Sequence, residues 1–147
     1  MPYEFKAIRR VEFSDTDMAG IMHFSNFFRF METAEHGFFR SLGLSIIHDQ
    51  NFPGIGWPRV RAECDYLAPL HFQDEVEIHL LVAEKRSKSI RYLCKFRKLN
   101  GSPPLEVARG SITVVCVHHA PGVKMKACAI PTPLAAKIEP APAELLT

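Results

Sequence analysis

An α+β domain, with one long helix set against an antiparallel sheet, is the fold class this sequence predicts. Three observations carry it: residues 25–42 repeat apolar side chains at helical spacing, the segments around them alternate apolar and polar residues with period two, and the last four of those segments follow one another through hairpin-length turns. Helices do not alternate with strands, and no G-x-G-x-x-G or G-x-x-x-x-G-K-S/T occurs, so a doubly wound nucleotide-binding sheet is disfavoured.

Residues 4–13 open the chain as a half-buried strand, with Phe5, Ala7, Val11 and Phe13 on one parity and only Arg9 out of place. It ends at Ser14-Asp15-Thr16-Asp17. From Ser25 to Leu42 the period changes: Phe27, Phe28, Met31, Ala34, Phe38 and Leu42 make an apolar stripe, and Arg29, Glu32, His36 and Arg40 a polar one. The helix would be about 27 Å long, with Ser25 as N-cap and Gly43 in the left-handed position after its end.

A Pro/Gly-rich link, Phe52 to Pro58, leads to a strand with Val60, Ala62, Cys64 and Tyr66 on one face and Arg59, Arg61, Glu63 and Asp65 on the other. Ala68-Pro69-Leu70 breaks it. Val76, Ile78, Leu80 and Val82 then mark the next strand, and Ile90, Tyr92, Cys94 and Phe96 the one after. A turn at Asn100 to Pro104 precedes a long last strand, Leu105 to Val117. From Pro131 the chain carries four prolines and little charge. Residues 1–135 therefore read as one domain, and 136–147 as a poorly ordered tail.

Composition narrows the class. With 147 residues, 47% hydrophobic and 23% charged, the chain can build one real core, and collagen, a coiled-coil rod and an acidic disordered chain are excluded. Cys64, Cys94, Cys116 and Cys128 form no C-x-x-C knuckle, and no signal pattern precedes them. They read as small buried hydrophobes of a reducing cytoplasm. Charges interrupt every apolar run before membrane-spanning length, so no membrane partner is expected.

The stretch from Phe13 to Phe24 holds two acids and a glycine between a strand end and a helix start. As a calcium loop it has Asp15, Asp17 and Gly20 at the first, third and sixth positions, but Ala19 stands at the fifth and Asn26 at the twelfth. An aspartyl-phosphate nucleophile after a strand would need a parallel sheet. Two acids in such a place also serve simply as turn and capping residues.

A further reading comes from resemblance. Asp15 to Asn26, with the helix that follows, resembles the active-site segment of the 4-hydroxybenzoyl-CoA thioesterase family of hotdog-fold proteins. Tyr66-Leu67-Ala68-Pro69-Leu70 with Asp74, and Ala108 to Val115, also resemble family stretches, so the likeness covers roughly residues 5–135. It implies a hotdog fold, with a five-stranded antiparallel sheet wrapped around one helix, and an acyl-CoA thioesterase that yields a carboxylic acid and free CoA.

The resemblance further implies a catalytic carboxylate at Asp17, acting as general base on water or as nucleophile on the thioester carbonyl. It places at Phe24 a backbone N–H that polarises the carbonyl with the helix dipole behind it. Gly20 would make the tight turn, His23 and Phe24 would line the acyl pocket, and Asn26 belongs to the same substrate-binding segment. No metal or prosthetic cofactor is implied, CoA being part of the substrate. A homodimer or homotetramer with sites between subunits is implied too, and an odd number of strands leaves sheet edges that association could cover.

Seven basic residues, Lys85, Arg86, Lys88, Arg91, Lys95, Arg97 and Lys98, crowd one hairpin. Arg91, Lys95 and Arg97 read as a solvated strand face, whereas Arg86, Lys88 and Ser89 resemble the family's turn that contacts the CoA nucleotide. Nucleic acid is disfavoured, since Tyr92 and Phe96 lie on the parity opposite Arg91 and Lys95. Glu32 and His36, one helical turn apart, read as a solvated or subunit-facing stripe rather than a metal pair, and His118-His119 as exposed. Two other functions stay open: an acyl-thioester hydratase or dehydratase using His23, and an acyl-CoA-binding regulator without turnover.

Overall fold

The computed structural model describes residues 2–47 and 49–147. Its elements in chain order are β1 (Glu4–Arg10), α1 (Asn26–Ser41), β2 (Ile55–Gly56), β3 (Arg59–Tyr66), β4 (Glu75–Lys85), β5 (Ser89–Lys98), β6 (Leu105–Val115), β7 (Val117–Ala120), β8 (Val123–Ala127) and α2 (Thr132–Ala135), with short 3-10 turns at Phe13–Asp15 and Ala143–Leu145. The five expected strands form one antiparallel sheet in the order β1-β4-β5-β6-β3. α1 lies across it, chiefly against β1 and β4, as the hotdog arrangement requires.

α1 buries Phe27, Phe30, Met31, Ala34 and Phe38 at helical spacing, and Gly37 and Phe39 besides, because the sheet curls around it. Phe38 and Tyr92 meet edge to face at 6.2 Å, and Phe27 and Phe96 at 5.2 Å, so aromatic packing joins helix to sheet. Gly43, at φ +75°, ends the helix in the expected left-handed conformation. Ser25 occupies the N-cap, but its side chain makes no capping hydrogen bond.

Four expectations change. β1 stops at Arg10, and Phe13 turns out to solvent, 78% exposed, because the chain bends into a 3-10 turn. β3 is an edge strand that α1 barely covers, so its apolar face is largely open and Val60 is 62% exposed. The long last strand breaks at Cys116, whose N–H leaves the ladder for the Lys88 carbonyl, and β7 continues in a second sheet, β2-β7-β8. The Pro/Gly link hides β2, which has only two residues.

Residues 136–147 are docked rather than poorly ordered. Ile138 is buried, the Ala141 N–H donates to Val82 O at 2.8 Å, and Lys85 Nζ donates to the carbonyls of Ala135 and Ile138 at 2.8 and 2.7 Å. Lys95 Nζ holds the Leu145 carbonyl at 2.8 Å. Sequence periodicity misses this because the tail is fixed by backbone carbonyls that long-range lysines reach. Among the described residues no helix is long and apolar enough to cross a membrane.

Candidate active site

The loop between β1 and α1 is built from its own hydrogen bonds. Asp15 Oδ2 accepts the Glu12 N–H at 2.8 Å and closes the 3-10 turn, so Asp15 is a turn former. Asp17 then starts a tight turn: its carbonyl accepts from Gly20 N–H at 2.9 Å, and its N–H donates to Ile21 O at 3.0 Å. Gly20 sits at φ +81°, where a Cβ would be strained, so the residue type follows from the turn. The Met22 N–H donates to Leu70 O at 2.7 Å and pins the returning strand against the segment after β3.

Between these two segments and the first turn of α1 lies a cavity of about 430 Å³, walled by Asp17, Ile21, Met22, Phe24, Phe27 and Tyr66 and closed by Leu67, Ala68 and Pro69. Its lining is apolar apart from the Asp17 carboxylate and the Tyr66 hydroxyl. One Asp17 oxygen accepts the Ala19 N–H at 2.9 Å, which fixes the side chain, and no other side chain among the described residues holds the carboxylate. Phe24, at the entry to α1, lines the same cavity, and no acceptor among the described residues takes its N–H. A fixed carboxylate and, on another residue lining the same apolar pocket, an N–H that no acceptor among the described residues takes are the groups needed to activate a nucleophile and stabilise a developing oxyanion.

The remaining anticipated residues divide. His23 does not line the cavity: its Nδ1 is 2.7 Å from Ser25 Oγ and 3.3 Å from the Ser25 N, so the ring acts as a cap for the helix start. Asn26 points its amide back into the loop, where Nδ2 donates to the Asp15 carbonyl at 2.8 Å, alongside the His23 N–H at 2.9 Å. Asn26 thus clamps loop to helix and does not face the cavity. Gly20 shapes the turn from outside the lining.

Arg86 and Ser89 line a separate recess of about 370 Å³ with Arg61, Glu84, Arg91 and Thr113, while Lys88 stands exposed outside it. Glu84 already pairs with Arg86, and lies 3.7 Å from Arg91. Most of the basic run is likewise engaged: Lys85 and Lys95 hold the tail, Arg97 pairs with Glu77 at 3.3 Å, and Lys98 with Asp74 at 3.7 Å. Arg61 and Tyr66 have opposite parity on β3, so recess and cavity open on opposite faces of that strand. No group of three His, Cys, Asp or Glu among the described residues is placed to hold a metal ion.

A family model described as the thioesterase-like superfamily matches residues 11–145, which takes in the loop, the cavity and the whole sheet after β1. The chain belongs to the thioesterase-like superfamily. Its relatives include a 1,4-dihydroxy-2-naphthoyl-CoA hydrolase of Thermosynechococcus vestitus, 27% identical over 92% of this chain and 89% of that protein. Three other curated relatives, a putative esterase of Aquifex aeolicus among them, are matched over only 54% to 63% of their length. Among solved structures, a gentisyl-coenzyme A thioesterase is 32% identical with a TM-score of 0.76, covering 88% of this chain and 98% of that one. The 4-hydroxybenzoyl CoA thioesterase of Pseudomonas sp. strain CBS-3, 20% identical over 92% of this chain and 99% of that one, shares the fold with a TM-score of 0.79.

Two features of this thioesterase-like domain come into view only in three dimensions. Tyr66 and the Leu67 to Pro69 segment supply one side of the cavity; the proline break after a strand was visible, but not that it folds over the Asp17 loop. Glu35 is 1% exposed and paired with Arg59, which also reaches Glu32 at 3.1 Å and the Trp57 carbonyl at 2.9 Å. Burial raises the Glu35 carboxyl above its ordinary range against the opposing pull of Arg59. This pair belongs to the helix–sheet joint and not to the cavity.

Proposed function

We propose that this protein hydrolyses an aryl thioester of coenzyme A, with Asp17 as the catalytic carboxylate. The observation that carries the proposal is the shared cavity of Asp17 and the unpartnered Phe24 N–H. The substrate class follows from the aromatic walls, Phe24, Phe27 and Tyr66, and from relatives whose names specify aryl-CoA thioesters.

In this mechanism the acyl group enters the cavity with its thioester oxygen at the Phe24 N–H. Asp17 takes a proton from water as the water attacks the carbonyl carbon, or attacks that carbon itself to give a mixed anhydride that water then opens. The oxyanion that forms is held by the N–H and the helix dipole. Its collapse breaks the C–S bond, and the CoA thiolate leaves and takes up a proton. His23 engages Ser25 through Nδ1 and is not among the residues that line the cavity, which favours hydrolysis over a hydratase reaction.

The assembly belongs to the same proposal. Phe13, Met18, Phe24, Leu67 and Phe72 are large exposed apolar side chains around the cavity and its loop, and β3 is an open sheet edge. A second copy would cover these and supply the nucleotide contacts, Arg86 and Ser89, from its own recess. The four free cysteines agree with the reducing, cytoplasmic setting proposed for it.

The test is thiol release from a panel of aryl-, short- and medium-chain acyl-CoAs by wild type and Asp17→Asn, both shown folded by circular dichroism. Hydrolysis of an aryl-CoA by wild type and a loss of at least about 100-fold in kcat for Asp17→Asn support the proposal. A folded wild type that binds but hydrolyses none of the panel, or an Asp17→Asn protein as active as wild type, refutes it.

A further inference from the structure

Phe24 carries a carbonyl as well as an N–H at the mouth of the helix. Its carbonyl is poorly served by the helix itself: the Phe28 N–H goes to Ser25 O at 3.2 Å, and the Phe27 N–H reaches Phe24 O only at 3.4 Å. The short hydrogen bond at that carbonyl comes from across the molecule, where the Tyr66 hydroxyl donates to it at 2.9 Å.

Tyr66 is itself held on two sides. Its ring meets Phe27 edge to face at 5.0 Å, and the chain just after it is anchored by the Leu67 and Ala68 N–H groups, which both donate to Val107 O at 2.8 and 3.1 Å. The phenol therefore reaches Phe24 from a fixed base, the last residue of β3, over the cavity that also holds Asp17.

We propose that Tyr66 is a positioning residue for thioester hydrolysis: by holding the Phe24 carbonyl it restrains the backbone torsions of Phe24, and through them the preceding peptide that carries the Phe24 N–H, and it offsets a partial negative charge that would oppose the oxyanion. The inference rests on the function proposed above. A carbonyl dipole beside a developing negative charge raises the barrier unless a donor occupies it, and a donor attached to rigid structure does so with no reorganisation during reaction. Desolvation, with Cys64 alongside, pushes the phenol up to about 12, so the hydroxyl stays a donor through the neutral range. Because Tyr66 acts on the orientation of an oxyanion donor, its removal falls on kcat.

The experiment compares wild type with Tyr66→Phe, which keeps the ring and its contact with Phe27 and deletes only the hydroxyl. Steady-state kinetics are measured on the best aryl-CoA of the panel, with melting temperature and the amide NMR signals of Phe24 and Ser25 recorded for the free proteins. The expected result is a fall of about ten-fold in kcat with KM within about two-fold, an unchanged melting temperature and displaced Phe24 and Ser25 signals. An unchanged kcat, a loss carried by KM alone, or amide signals that stay in place overturns the proposal while leaving thioester hydrolysis intact. A wild type without turnover overturns the proposed function and this role together, so the two failures are told apart by the wild-type arm.

Discussion

Arg59→Met should destabilise the fold by an amount set by Glu35. In the native protein Arg59 donates to both Glu35 oxygens, through Nη1 at 3.3 Å and through a shorter contact from Nη2, at a carboxyl only 1% exposed. Methionine keeps most of the stem's packing but leaves that carboxylate buried and unpaired, which typically costs about 3–5 kcal/mol. Protonation caps the penalty: holding a carboxyl of ordinary pKa near 4.3 neutral at pH 7 costs about 3.7 kcal/mol, at about 1.36 kcal/mol per pH unit. The same cap falls to about 1 kcal/mol at pH 5.

The sign follows from the direction of the Glu35 shift. A carboxyl raised in the folded state contributes its stability below the unfolded pKa and loses it as pH rises through the folded value, and removal of Arg59 widens that window. Urea denaturation at pH 7 and pH 5 should show a loss of about 3–4 kcal/mol at the higher pH that shrinks by more than half at the lower. For 147 residues the neutral-pH loss corresponds to a drop of about 10 °C in melting temperature. Replacing Glu35 by leucine in the same background should return most of it. A loss under about 1 kcal/mol at pH 7, or one that does not shrink on acidification, would refute the account of Glu35 as a buried charge held by Arg59.

Two further variants probe the loop and the helix–sheet joint. Asn26→Ala removes the amide that clamps the Asp15 carbonyl, and should cost about 1 kcal/mol in urea titration while lowering kcat toward the chosen thioester more than it raises KM; a variant with unchanged stability and kcat would show the clamp to be idle. At Gly110 an added Cβ would collide with Met31 Cε and lie 2.7 Å from its Sδ, the movable end of that side chain, with the Glu63 carbonyl at 3.2 Å, so Gly110→Ala should lose about 1 kcal/mol by overpacking. Met31→Ala in the Gly110→Ala background makes room for the new methyl, and the two losses should then be less than additive; strict additivity in thermal unfolding would count against the contact.

The polypeptide's own periodicity determined the fold class. Phe27, Met31, Ala34 and Phe38 recur at helical spacing and Ile90, Tyr92, Cys94 and Phe96 at strand spacing, and these local periods survive folding because one face of each element must be buried. The turn chemistry of Asp15, Asp17 and Gly20 was equally legible, since a left-handed glycine and side-chain acceptors are satisfied within a few residues. Contacts distant in sequence were beyond that reach. Whether β3 is a central or an edge strand depends on the pairing order of the whole sheet, and the tail is tied by Lys85 and Lys95 to carbonyls 50 to 53 residues away; His23 and Asn26 have near partners, Ser25 and Asp15, but where they stand relative to the cavity depends on the segment after β3 that closes it. The cavity is the clearest case: Tyr66 meets the Phe24 carbonyl across 42 residues, and only the closing of the sheet around α1 brings Tyr66, Asp17 and Phe24 around one cavity.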